Sequence, residues 1–128
     1  VLYNLAKRGI EADLLPWSRA RGIPIMAYSP IDQGCILRNR ALAAAAARHR
    51  ATPAQISLSW VLRHQDMRVI PKSTNETHIR ENREALDLAL STPPTRRVGQ
   101  GLSPSHRRGL PRNVVNAVIR ASCNSADE

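Results

Sequence analysis

The sequence predicts an α/β fold built on parallel strands, and three observations predict it. Two short apolar runs, Ile23 to Tyr28 and Met67 to Pro71, have the length of buried strands, the second β-branched at Val69 and Ile70 and closed by a proline. Each follows a stretch with helical signals across a short connection, and strand, helix and strand in that order make a βαβ unit with a parallel sheet. The second run then passes through a polar turn into one more helix.

Val1 to Leu5 is apolar apart from Asn4 and reads as the end of an earlier strand, which Lys7-Arg8-Gly9 turns. From about Glu11 to Arg21 the pattern is helical, with Leu14, Leu15 and Trp17 on one side. Pro16 fits there only in the first turn, where its missing N–H is not needed, and Gly22 stands where a C-terminal cap is expected. After the strand ending at Tyr28, Ile31 to Asn39 reads as a polar loop and the alanine-rich Arg40 to Arg50 as a helix whose basic end complements its dipole. Thr52-Pro53-Ala54-Gln55 restarts the chain with a Thr cap, Pro at the first position and Gln three residues on, and Ala54, Leu58, Val61 and Leu62 mark its buried face.

The strand 67–71 leads into Lys72-Ser73-Thr74-Asn75-Glu76, where Ser73 and Glu76 have capping-box spacing ahead of a helix that begins near Asn75 and continues to about Leu88. Ile79, Asn82, Leu86 and Leu90 fall near one stripe of it. A helix N-terminus with orphan amides and Lys72 beside it reads as a phosphate-binding corner, the same pattern also fitting an ordinary βα turn with a solvated lysine.

Beyond Leu90 the composition changes. Residues 91–128 hold four prolines, three glycines and six arginines against two acids, and are expected to be a basic, disordered tail. Residues 1–90 carry 13 Lys and Arg against 8 acids, so the formal charge of +9 is spread over the whole chain. The tail has no aromatic residue for stacking on bases, so nonspecific polyanion contact is the most its charge supports, and nucleic acid is not expected as a partner. No run of 18 apolar residues and no basic-then-apolar leader occurs, so a membrane is not expected either. Cys35 and Cys123 have neither metal nor redox spacing, which makes a reducing cytoplasm the expected compartment. The four histidines, at 49, 64, 78 and 106, are scattered, and no metal site is expected.

Pro71-Lys72-Ser73 followed after four residues by His78-Ile79-Arg80-Glu81-Asn82 resembles the last strand and cofactor loop of the aldo-keto reductases. Ile25-Met26-Ala27-Tyr28-Ser29-Pro30 resembles the preceding strand of that family. Val1 to Leu5, with Arg8-Gly9-Ile10-Glu11 and Leu14-Leu15-Pro16-Trp17, is similar to the strand and helix before that. The three segments cover residues 1–90, in the family's order, and correspond to the C-terminal portion of a (β/α)8 TIM barrel. The expected fold is therefore an incomplete barrel of about three parallel strands with helices, since 128 residues are about half of the ~250 a whole barrel needs.

That resemblance implies an oxidoreductase that uses NADPH to reduce aldehyde or ketone carbonyls to alcohols. The family's catalytic Asp, Tyr, Lys and His lie in the N-terminal half of the barrel, so no catalytic residue is expected here; Tyr3 and Tyr28 match no catalytic position, and the fragment alone should be silent. The partners implied are a small-molecule carbonyl substrate and the N-terminal barrel half. For the cofactor, Tyr28 matches the aromatic that stacks on the nicotinamide, and Ser29 opens the loop that wraps the pyrophosphate. Lys72 and Ser73 match the groups holding the adenosine 2′-phosphate, His78 stands where many members place an arginine on it, and Glu81 and Asn82 match the adenine contacts. Asp32 and Cys35 replace the loop's usual glycines, Asp32 adding a negative charge. Two other readings remain open at this point: a small basic binding module whose arginine-rich tail meets an acidic partner, and a nonfunctional gene remnant.

Overall fold

The computed structural model describes residues 1–88 and 90. Two parallel strands, β1 (Ile25–Tyr28) and β2 (Met67–Ile70), pair in the register Ile25 with Met67 through Tyr28 with Ile70. On the far side of β1 the expected strand at Val1 to Leu5 reduces to a single parallel bridge between Leu2 and Tyr28, where the Tyr28 N–H donates to the Val1 carbonyl at 2.9 Å. Past that bridge the chain turns at Asn4, whose side-chain oxygen accepts from the amides of Ala6 and Lys7 at 2.9 and 2.8 Å.

Three of the four helices bury residues against one face of the sheet, and the last packs against the third. The helix expected over 11–21 divides into a 3-10 turn at Gly9–Glu11 and α1 (Leu14–Arg19), because Asp13 caps the Leu14 amide and restarts the helix there. Pro16 lies in the first turn as the sequence requires. The Ile23 amide bonds Ser18 and the Gly22 amide bonds Arg19, a Schellman closure with Gly22 at φ +64°. The expected loop after β1 is wound into 3-10 turns over Asp32–Arg38, capped at its far end by Asn39, whose side chain receives the Ala41 and Leu42 amides and starts α2 (Arg40–His49).

The capping box of α3 (Pro53–Leu62) is present in full: the Gln55 amide donates to the Thr52 hydroxyl at 3.2 Å and the Thr52 amide to the Gln55 side chain at 2.9 Å. Leu58 and Val61 are buried as expected, but burial runs all the way round from Gln55 to Val61. Packed against α2, β2 and the last helix, Glu76–Glu84, it has no solvent side. Its polar residues are satisfied accordingly: Ser57 donates to the Pro30 carbonyl at 3.1 Å, and Ser59 to that of Ala85.

The last helix, α4 (Glu76–Glu84), begins near Asn75 as expected but differs in its capping residue and at its far end. Its cap is Asn75 rather than Ser73, and regular helix stops four residues short of Leu88. The stripe drawn through Ile79 and Leu86 is not core, since those side chains are 52% and 58% exposed. The core instead lies between the sheet and the helices, around Tyr3, Leu5, Ile25, Ala27, Leu42, Ile56, Val61 and Met67. The opposite face of the sheet, formed by Leu2, Met26, Tyr28, Arg68 and Ile70, is open among the described residues. The tail expected over 91–128 lies outside them.

Candidate functional site

A strand whose chain returns through an antiparallel helix delivers every helix N-terminus to the carboxyl ends of the strands, where α/β proteins gather their functional groups. Here that end collects the tip of β1, the tip of β2, and the starts of α3 and α4. A cleft of about 200 Å³ opens between them, lined by Ile31, Leu37, Thr52, Pro53, Ala54, Lys72, Ser73, His78, Glu81 and Asn82. Five of the seven residues marked from the sequence, Lys72, Ser73, His78, Glu81 and Asn82, therefore share one cleft. Tyr28 and Ser29 do not line it; they lie at the neighbouring strand end, Tyr28 opposite Ile70 in the register and half exposed on the open face.

The spacing that brings His78, Glu81 and Asn82 together is helical: three and four residues apart, they fall on one side of α4. Lys72 and Ser73 follow β2 after Pro71, which ends the strand. Among the described residues the Lys72 ammonium, the His78 ring, the Glu81 carboxylate and the Asn82 amide make no hydrogen bond or ion pair with other side chains or with the backbone. Ile31, Leu37, Pro53 and Ala54 supply the apolar part of the lining, so the cleft combines hydrophobic side chains with the polar groups of Lys72, Ser73, His78, Glu81 and Asn82.

The helix end is less open than its sequence suggests. Asn75 Oδ1 receives the Thr77 amide at 2.9 Å and the His78 amide at 3.4 Å, while the Asn75 amide itself donates to Ser73 Oγ at 3.1 Å. The amides expected to hold an anion are thus already engaged, and the side chains remain.

The loop beyond β1 is strained where a ligand-wrapping segment would be. Ser29, Asp32 and Gln33 have φ of +49°, +49° and +53°, a left-handed conformation that side chains disfavour, followed by Gly34 at +91°. Asp32 thus occupies a backbone conformation suited to glycine. What holds the loop was not read from the sequence: fully buried Asn4 donates from Nδ2 to the Ser29 carbonyl at 2.9 Å, and Ser57 holds Pro30. The one signal was a polar residue inside an apolar run. The walls Thr52 to Ala54 were missed as well, although a capping box marks a helix start and such starts lie at this end of the sheet.

A second polar cluster sits behind the sheet. Tyr3 OH donates to Glu11 Oε1 at 2.6 Å and receives Arg63 at 3.1 Å; Arg8 pairs with Glu11, and Arg63 lies over the Trp60 ring at 3.5 Å. Burial, then the bond to Glu11, push the Tyr3 hydroxyl well above its ordinary value, the opposite of an acid catalyst. Burial alone would raise the Glu11 carboxyl, but the hydrogen bonds from Arg8 and Tyr3 and the Arg63 charge more than offset it and hold it below its usual range. His64 completes the cluster, with Nε2 at 3.1 Å from Tyr3 OH and Nδ1 against the Arg19 guanidinium. Burial first, then Arg63 and Arg19, lower it to about 4, so the ring is neutral. Among the described residues no group of three potential ligands could hold a metal ion, and no helix is long and apolar enough to cross a membrane.

Residues 1–99 match the model of the aldo/keto reductase family. Among curated relatives, methylglyoxal reductase YeaE of Escherichia coli is 43% identical over 97 residues, covering 72% of this chain and 34% of its own. Glyoxal reductase of Bacillus subtilis is 37% identical over 81 residues, 63% of this chain and 29% of the relative. The chain thus spans about a third of the length of the curated relatives it matches. Among solved structures, an aldo-keto reductase from Klebsiella pneumoniae in complex with NADPH superposes with a TM-score of 0.69 at 35% identity, covering 80% of this chain and 42% of that one. An aldo/keto reductase of the same organism in complex with NADP and acetate gives 0.69 at 38% identity, over 75% and 40%. A family model matching most of the chain, on an α/β frame with a parallel sheet, settles the kinship: the chain belongs to the aldo/keto reductase family.

Proposed function

We propose that this chain is the C-terminal, cofactor-binding portion of an NADPH-dependent aldo-keto reductase, binding the adenosine end of the cofactor in the cleft beside α4. The observation that carries the reading is the meeting of Lys72, Ser73, His78, Glu81 and Asn82, picked out by sequence, around one cleft at the carboxyl ends of the strands. The cofactor supplies the hydride; the residues here bind and orient it. Lys72 and His78 take the 2′-phosphate, Glu81 and Asn82 the edge of the adenine, and the apolar walls its faces. Tyr28, half exposed on the open sheet face, offers a flat ring for the nicotinamide, and Ser29 begins the loop along the pyrophosphate.

The open face bearing Met26, Tyr28 and Ile70 is the barrel interior in this reading, closed by the N-terminal half with its catalytic tetrad. By itself the chain binds cofactor and does not turn over. The substrates of the whole enzyme are small carbonyl compounds of the kind its relatives' names indicate, methylglyoxal among them. Lys72→Ala tests the reading: NADPH binding weakens about tenfold or more, the scale of a lost charge-assisted bond, while NADH binding changes little. Equal losses for the two cofactors, measured by fluorescence titration, would remove the 2′-phosphate assignment.

A further inference from the structure

Two fully buried polar side chains that do not line the cleft, Asn4 and Ser57, fix the loop that leaves β1. Asn4 is already engaged by its own turn, with Oδ1 accepting the Ala6 and Lys7 amides, yet its Nδ2 reaches across to donate to the Ser29 carbonyl at 2.9 Å. That same carbonyl accepts the Asp32 amide at 3.0 Å, so Asn4 shares the acceptor that closes the turn 29–32. Ser57, from the middle of α3, donates to the next carbonyl along, that of buried Pro30, at 3.1 Å. Two consecutive carbonyls are therefore held by two separate parts of the chain. Around them Ser29, Asp32 and Gln33 keep a left-handed backbone that side chains disfavour, a conformation that persists where surrounding contacts over-determine it.

We propose that Asn4 and Ser57 are positioning residues for the cofactor: by holding the Ser29 and Pro30 carbonyls they keep the loop in its ligand-ready shape, so that the part of NADP(H) beyond the adenosine binds without first ordering the backbone. The inference rests on the cofactor reading above and adds to it two residues that touch no ligand. A loop released from either bond samples other backbone conformations, and apparent affinity falls by the fraction of chains still in the competent one. Adenosine 2′,5′-bisphosphate, confined to the cleft beside α4, does not draw on the start of the loop, whereas NADP does.

The test is calorimetric titration of the full chain with NADP and with adenosine 2′,5′-bisphosphate, in Ser57→Ala and in Asn4→Asp. Ser57→Ala deletes one hydroxyl from a helix that alanine favours. Asn4→Asp keeps the acceptor for the Ala6 and Lys7 amides and removes the donor to Ser29. We expect NADP affinity to fall about fivefold or more in each variant, the scale of one lost hydrogen bond, and bisphosphate affinity to stay within about twofold. If the buried carboxylate of Asn4→Asp unfolds the chain, Ser57→Ala decides. Equal losses for the two ligands would mean that these side chains only maintain the fold, and no loss for either would mean that the loop keeps its shape without them; both results overturn the proposal and leave the cofactor reading standing. If the wild-type chain binds neither ligand, the cofactor reading falls and the proposal falls with it.

Discussion

Single residues decide whether the ligand loop and the cluster behind the sheet hold their shape. Asp32 sits at φ +49° where glycine is at ease, and carries a negative charge into the loop assigned to the pyrophosphate. Asp32→Gly is expected to leave stability within about 0.5 kcal/mol, because relief of strain is offset by the freedom glycine gains in the unfolded chain, and to strengthen NADPH binding. Asp32→Asn isolates the charge contribution; unchanged binding in both variants would detach this loop from the phosphates. His64 is held neutral at about 4, below the ordinary imidazole value, so the unfolded chain takes up a proton that the folded one refuses. Its contribution therefore makes the fold less stable as pH falls from about 6.5 to about 4, by about 1 to 2 kcal/mol once its partial solvent exposure is allowed for. Urea melts across that range should show a shallower loss of stability in His64→Gln than in the wild type; equal slopes would contradict the packing of His64 among the arginines.

At the scale of elements, what is local in the chain was legible and what depends on distant partners was not. Thr52, Pro53 and Gln55 start α3 through neighbours within three residues, so the sequence alone places it. Gly22 likewise ends α1 where its φ of +64° demands it. Arg50 makes the same closure for α2 at φ +51°, with the Ala51 amide bonded to Ala46, and no residue-type signal marked it. Arg50→Gly should raise stability by about 0.5 to 1 kcal/mol in a thermal melt, and a loss would mean that the arginine side chain earns its place. The cap of α4 was misplaced because Ser73 and Asn75 both have capping chemistry two residues apart; Asn75 takes the helix amides and Ser73 the Asn75 amide. The stripe through Ile79 and Leu86 could not be resolved from periodicity, which reports that a face is apolar but not what covers it. For the site, β2 and α4 gave five lining residues by motif, whereas Asn4 and the walls from the starts of α3 and the 3-10 segment arrive only through folding.

For the whole molecule, the described residues form a parallel pair with a third bridging segment, helices on one face, and Leu2, Met26, Tyr28 and Ile70 on the other. An open apolar sheet face with strand edges favours association, and the chain is expected to self-associate in size-exclusion chromatography unless these residues are covered. The proposed cofactor site lies at the carboxyl ends of the strands, beside α4. Amide chemical shifts of the isotopically labelled chain, followed by NMR during titration with NADP, test it most directly. Changes are expected to concentrate at Tyr28 to Leu37, Thr52 to Ala54 and Lys72 to Asn82, with Tyr3, Glu11 and His64 unmoved. Shifts centred on the Tyr3 cluster, or none at any residue at saturating cofactor, would contradict it.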